Sequence, residues 1–416
     1  MSVTVKTENS LKERMFIYTL SSGAKCYIIP KYGFSQKQAA VIFRYGSCDI
    51  NFSACGNKIS HPLGTAHFLE HKMFQKKNVD FFTEFLKNGA DSNAFTDANK
   101  TAYYFSCREN FYNNFESLLK MVTEEYFDDE SVEREKGIIG QEIAMYDDDP
   151  NWAAYFNMLK KLYKKNPVRY GIAGTEESIR KICADTLSQA YNAFYTPRNM
   201  TIVVCGDVDC KKVFETAEKM VKERESDVVR EEYKETDIIG NNFVSKKMGL
   251  SVPVFNIGFR HSPGENGVKQ IYGYKMLLDI IAGESSKSYE KAFVRELVSQ
   301  PLGLQYVWGG GVSLSVISGQ SGDARKLGNG IIREINCLKK SGIDNETFKR
   351  IKKKHLGRFT RGFNSIDAIC MAQTELCGLN SDLFDSYNVI KNMDKDYIET
   401  LLTSFNSNCA VLSVVE

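Results

Sequence analysis

Gly64-Thr65-Ala66-His67-Phe68-Leu69-Glu70-His71-Lys72-Met73-Phe74 reads as a helix, and it carries the pattern HxxEH. On a helix His67 and His71 stand four apart and Glu70 three from His67, so all three share one face. Two imidazoles one turn apart can bind a single Zn²⁺ at about 2.0–2.1 Å each. A carboxylate beside them can take a proton from water whose pKa the metal lowers to about 7. The pattern is the inverted form of HExxH. The chain holds five histidines, and two of them fall in this pentapeptide. The plain alternative is a surface helix that happens to carry two histidines, so the neighbouring segments decide.

A zinc site of this kind needs a third protein ligand. Ser131-Val132-Glu133-Arg134-Glu135-Lys136-Gly137-Ile138-Ile139-Gly140-Gln141-Glu142-Ile143 lies in a helix expected over Asp129–Asp147. Glu135 and Glu142 are seven apart and share a face, with Ile138 and Ile139 beside it. A carboxylate on a partly buried face wants a cation or a hydrogen-bonding partner; a solvated Glu/Lys helix is the alternative.

Further out, strands and helices mix. Ala24–Pro30 and Ala39–Tyr45 read as two strands of a hairpin or meander. A second helix is expected over Val79–Asn88, stopped by Gly89. Ser92–Thr96 and Thr101–Cys107, rich in Thr, Tyr and Phe, read as a strand pair turning at Asp97–Lys100. A helix near Asn110–Glu125 follows, and Met200–Cys205 reads as a buried strand. The charged stretch 208–235 loses helical spacing from Glu223, which places a linker at about 223–245.

The second half then repeats the first, weakly but in order. Asp128-Asp129-Glu130-Ser131-Val132 precedes Asp344-Asn345-Glu346-Thr347-Phe348 by 216 positions, and both open a helix. Phe194–Met200, leading into a strand, resembles Phe405–Cys409 leading into the C-terminal strand, and Val254–Arg260 resembles Val41–Arg44. The expected fold is α+β, with two tandem homologous domains, each a largely antiparallel sheet with helices packed on one face. The domains are expected at 1–222 and 246–416, joined by 223–245.

The bulk numbers exclude other classes. The length of 416 residues suits two domains. A formal net charge of +2 gives no global field that would draw the chain onto nucleic acid or an acidic membrane. The Lys352-Lys353-Lys354 run reads as a solvated helix face. Eleven cysteines, an odd number without a CxxC pair, argue against a secreted disulfide framework and for a reducing cytosol. The N-terminus lacks the apolar core of a signal peptide, and no window reaches about 18 uninterrupted apolar residues. A soluble, cytoplasmic protein is expected.

Pro62–Phe74, Asn88–Thr96, Thr101–Phe105 and Glu133–Ile143, in this order and spacing, resemble the pitrilysin/insulinase family of zinc peptidases, closest to its bacterial processing-peptidase-like subgroup. The resemblance covers the first domain well and the second in outline. It implies that His67, His71 and Glu142 are the Zn²⁺ ligands and Glu70 the general base. It assigns Glu135 as a second carboxylate that supports the site. Asn93 and Ala94 match the strand whose edge binds substrate backbone.

The second half departs from the family pattern. Near Leu277–Ile281 no HxxEH survives, and Arg358 stands 216 positions after Glu142, so this domain is expected to hold no metal. In the family it supplies a substrate-gripping Arg and Tyr, seven apart. Tyr306 matches the Tyr, but Ser299 occupies the Arg position and Arg295 is eleven away. The expected function is a zinc endopeptidase acting on unfolded, leader or targeting peptides. It would work as the catalytic subunit of a heterodimer with a paralogous chain, a homodimer being the second choice. The alternative is a non-catalytic assembly or peptide-binding subunit of a peptidase complex.

Overall fold

The computed structural model describes residues 2–235, 242–264 and 267–416. The chain forms two compact units. The first is built on a seven-stranded sheet: β1 (Ser2–Glu8), β2 (Glu13–Thr19), β3 (Lys25–Pro30), β4 (Lys37–Phe43), β5 (Ala90–Thr96), β6 (Thr101–Cys107) and β7 (Met200–Gly206). Their order is β1-β2-β3-β7-β4-β6-β5. Only β3 and β7 run parallel; the other pairs are antiparallel. The second unit holds a five-stranded sheet of β8 (Phe243–Lys246), β9 (Val254–Arg260), β10 (Gly303–Gly309), β11 (Val312–Gln320) and β12 (Ala410–Val415). Its order is β8-β12-β9-β11-β10, with β8 and β12 the parallel pair.

The two orders superimpose term by term: β3-β7-β4-β6-β5 on β8-β12-β9-β11-β10. In each five-strand repeat the last strand inserts between the first two and makes the one parallel pairing. This corrects the hairpin or meander reading of Ala24–Pro30 and Ala39–Tyr45: β3 and β4 are not neighbours, because β7 lies between them. The reason is burial. Six of the seven β7 residues are buried, and such a run belongs at the centre of a sheet.

The units interleave along the sequence. The first comprises Met1–Ile143, Ile172–Glu231 and Thr360–Phe384; the second comprises Ala144–Gly171, Glu232–Phe359 and Asp385–Glu416. Hence the helix Pro150–Leu162, from the N-terminal half, packs on β9 and β12, and the helix Ile366–Glu375, from the C-terminal half, packs on β4 and β7. The two helices occupy equivalent places in the repeat, since each follows one member of the helix pair Asp129–Asp147 and Asn345–Gly362. A division of the chain at 222 and 245 does not capture this exchange. Within the expected linker, Val229–Arg230 pairs with the strand Asn51–Ala54, and Glu235 accepts the backbone N–H groups of Lys164, Lys165 and Asn166. Residues 236–241 of that linker lie outside the described residues.

The exchanged helices explain the burial of the central strands. All seven residues of β9 and six of seven in β4 are buried. Successive residues of a strand point to opposite faces, so both faces are covered, beyond the single helical layer expected from the sequence. The Phe111–Thr123 helix packs on β4 and β6, and Gln38 Nε2 in β4 donates to Asp367 Oδ1 of the exchanged helix at 3.3 Å.

The helix carrying HxxEH runs from Thr65 to Met73. Its N-cap Gly64 is left-handed (φ 88°), and a Cβ there would lie 2.4 Å from the Ala173 carbonyl oxygen. Gly174, at φ 81°, approaches the Leu63 carbonyl as closely, and Ser178 Oγ donates to that same oxygen at 2.9 Å. Two backbones cross here with no room for side chains, and this crossing sets where the helix starts. We expect Gly64→Ala to cost about 2–4 kcal/mol, the left-handed penalty adding to overpacking. Urea unfolding of the variant against the parent checks this.

In the second unit His261 is buried between Ser315, whose Oγ lies 2.8 Å from Nε2, and Ser404, whose Oγ lies 2.9 Å from Nδ1; its ring stacks on Tyr274. Burial holds its pKa down to about 3, only partly opposed by the Ser404 carbonyl. The unfolded chain takes up this proton near pH 6.5 and the folded one does not. Stability from His261 is therefore full above about 6.5 and falls by about 1.4 kcal/mol per pH unit on acidification, until pH about 3. Thermal unfolding followed from pH 7 to 4 should show a shallower acid slope in His261→Gln than in the parent. Equal slopes would count against the assignment.

All eleven cysteines are free. Among the described residues no helix is long and apolar enough to cross a membrane. The Lys352–Lys354 run is only partly a solvated face: Lys352 Nζ bonds the Met393 carbonyl and Lys354 pairs with Asp279.

Candidate metal centre

Two helices of the first unit build the site. Thr65–Met73 presents His67 and Glu70, each 8% exposed, and the half-buried His71. Asp129–Asp147 presents Glu135, 5% exposed, and Glu142, two turns apart on one face. The rings of His67 and His71 are 4.6 Å apart. Glu142 Oε1 lies 3.6 Å from His67 Nε2, and Oε2 lies 3.5 Å from His71 Nε2.

These separations are too long for hydrogen bonds. They match the edge of a tetrahedron whose corners lie 2.0–2.1 Å from its centre, which is about 3.4 Å. One donor atom from each of His67, His71 and Glu142 falls within 4.8 Å of the others. The donor set also suits a cation electrostatically, since three carboxylates (Glu70, Glu135 and Glu142) face two imidazoles. His71 shows the effect: burial pulls its pKa down, yet the hydrogen bond it donates to Glu135 and the charges of Glu70, Glu135 and Glu142 outweigh it and leave the pKa raised. The residues present thus fit a Zn²⁺ ion.

Glu135 Oε1 sits 2.9 Å from His71 Nδ1, on the ring side away from Glu142. A carboxylate there fixes the ring and leaves Nε2 as the ligating atom. His67 has no such partner; its Nδ1 is buried without an acceptor among the described residues. Glu70 accepts a 2.6 Å hydrogen bond from Thr96 Oγ1. Burial pushes the Glu70 pKa up, against the pull of His67, the Thr96 hydroxyl and His71. Thr96 ends β5, and its hydroxyl also meets that of Thr101, which donates to the Tyr45 carbonyl. Nothing local in the sequence gives Thr96 a role, because its partner Glu70 lies 26 residues away on another element.

Asn93 and Ala94 lie on β5, the edge of the seven-stranded sheet, paired among the described residues on one side only, with Tyr104 and Tyr103 of β6. The Asn93 side chain accepts the Ala94 N–H at 2.8 Å. Tyr306 requires a correction. It lies in β10, 5% exposed, with its hydroxyl 2.9 Å from Ser313 Oγ and its ring stacked on Tyr274. Inward alternation on the strand makes it a core residue of the second unit, and its side chain has no surface to offer a peptide.

The second unit shows what the repeat has become. Asp279, on the helix Val268–Ala282, pairs with Lys354 at 2.8 Å and His355 at 3.2 Å on the helix Asn345–Gly362. Buried though it is, this bonding holds the Asp279 pKa below the usual carboxylate range. A direct ion pair ties these two helices together.

A two-unit α+β fold with paired histidines and a carboxylate on adjoining helices is the architecture of a metallopeptidase family. Residues 59–176 match the model described as Insulinase (Peptidase family M16), and residues 181–354 match Peptidase M16 inactive domain. The chain is 34% identical over 404 residues to the Bacillus subtilis (strain 168) protein called uncharacterized zinc protease YmfH, covering 94% of each. An M16-like peptidase from Alicyclobacillus acidocaldarius superimposes with a TM-score of 0.92 at 28% identity, over 100% of this chain and 98% of that one. Pitrilysin shares the fold (TM-score 0.77, 16% identity), with 99% of this chain matching 46% of that one. The chain belongs to peptidase family M16, the insulinase family.

Proposed function

We propose that this chain is a zinc-dependent endopeptidase cleaving extended peptides, leader or targeting peptides among them, as the catalytic half of a heterodimer. The observation that carries it is the convergence of His67, His71 and Glu142 on one ion-sized position, with buried Glu70 beside them. A zinc ion held by His67, His71 and Glu142 would supply Lewis acidity and lower the pKa of a water. Glu70, with its pKa raised and its carboxylate held by Thr96, takes the proton from the attacking water and returns it to the leaving amine. Glu135 keeps His71 in its ligating orientation. The free edge of β5 around Asn93 and Ala94 offers backbone groups to an extended peptide, which would add as a further strand.

Two observations support a partner chain. The fold matches just under half of pitrilysin. Tyr306, one of the expected gripping pair, is sequestered in the core, and Ser299 stands at the place of the other. In a homodimer each copy would repeat the defect, so a paralogue with its own gripping residues fits better. Cleavage of an unstructured peptide by the zinc-loaded chain, alone and with the paralogue, tests this. Activity is expected to rise at least tenfold on adding the partner. Full activity from the chain alone rules out the heterodimer requirement, and none in either case favours a non-catalytic subunit.

A further inference from the structure

The first unit contains a polar cavity of about 150 Å³ at the ends of β3, β4 and β7, where the exchanged helix finishes. Lys25, Arg44 and Arg198 line it, and no carboxylate does. Among the described residues none of the three forms an ion pair. Asp49, which feels the Arg44 charge, is itself paired with Arg230 at 2.7 Å. All three side chains are exposed, so solvent screens their mutual repulsion, but together they make the mouth of the cavity positive.

The arginines are also held in place. The Arg198 stem lies on Gly23, where a Cβ would come within 3.0 Å of Cγ, and the Arg44 stem lies on Gly378, where a Cβ would come within 2.9 Å of Cδ. Both glycines have positive φ, 91° and 86°, so a side chain is disfavoured at each on two counts. Arg44 Nε donates to Asn199 Oδ1 at 3.2 Å, which fixes the guanidinium and leaves its two terminal nitrogens without a protein acceptor among the described residues. Arg198 makes no side-chain hydrogen bond there, and Lys25 reaches only Asn380 Oδ1, at 3.5 Å. Planar guanidinium forks with unspent donors are suited to oxyanions that accept two hydrogen bonds at once.

We propose that this cavity is an anion-binding site for phosphate, held between Arg44 and Arg198 with Lys25 completing the charge. The proposal concerns a place distinct from the zinc-site residues and does not depend on their role.

The test uses the full chain, loaded with zinc. Thermal unfolding is followed in rising sodium phosphate and in sodium chloride of equal ionic strength, with calorimetric titration of phosphate alongside. A saturable rise in the unfolding midpoint with phosphate, absent with chloride, is expected. Arg198→Gln and Arg44→Gln should each weaken phosphate binding about tenfold or more, the loss of a charge-assisted contact. His71→Ala should leave it unchanged. Should Arg44→Gln fail to fold, Arg198→Gln decides alone, since among the described residues its side chain has no protein hydrogen bond to lose. Phosphate acting no differently from chloride, or binding both arginine variants as tightly as the parent, overturns the proposal. So does binding that disappears in His71→Ala, because the anion would then sit with the histidines.

Discussion

Glu70→Gln is expected to keep stoichiometric zinc and lose cleavage by a factor of about 10²–10⁴, the range that a positioned general base contributes. The amide can still accept the Thr96 hydroxyl, now 2.6 Å from Oε2, so the local fold should survive. What it cannot do is take a proton. Because Glu70 stands on the motif helix without being one of the three converging donors, metal content and turnover should separate in this variant. Elemental analysis together with a peptide-cleavage assay measures both. Loss of zinc with activity would make Glu70 a ligand, and retained activity would remove it from the chemistry.

The opposite outcome is expected for the double variant His67→Ala/His71→Ala: zinc falls from one per chain to none, and cleavage goes with it. Two of the three donors are gone, and Glu142 alone is an ordinary carboxylate. The variant should also carry more unbalanced negative charge at the site than the metal-free parent, because Glu135 loses the imidazole it holds at 2.9 Å. Stoichiometric zinc in the purified double variant would place the metal elsewhere in the chain.

Much of the site was legible in the sequence because it is helical. Helical spacing fixes which side chains share a face, so His67, Glu70 and His71 could be grouped from one pentapeptide, and Glu135 with Glu142 from their spacing of seven. The helices themselves lie close to where the patterns put them: Thr65–Met73 within the expected 64–74, and Asp129–Asp147 at the expected bounds. That the two helices adjoin came only through family resemblance, since spacing within one element says nothing about its neighbour. Thr96 was missed for the same reason: its partner, Glu70, is 26 residues away on a different element.

The sheets were less legible. The β5–β6 pair was found because its turn is local, Thr96 opposing Thr101. The insertion of β7 between β3 and β4 was not, because strand order across about 160 residues leaves no local trace. Tyr306 illustrates a different limit. A tyrosine at a family position looks like a functional residue, but on β10 the alternation of the strand turns it inward. The duplicated halves were visible as a 216-residue offset between helix starts, and the matching strand orders account for it.

The helix Ile366–Glu375 also bears on how the protein is made. It covers β4 and β7, and the Gln38–Asp367 bond spans 329 positions of sequence. A ribosome releasing this chain from its N-terminus will have delivered every strand of the first sheet long before the helix that covers it emerges. Until then the apolar residues of β4 that it shields face water, and strand exposure of this kind invites aggregation. The second sheet meets no such delay, for its exchanged helix Pro150–Leu162 is synthesised before any of its strands and waits for them. The early sheet thus waits for late residues, so a fragment stopped after residue 222 would lack part of its own core, and chaperone dependence should fall on the N-terminal half.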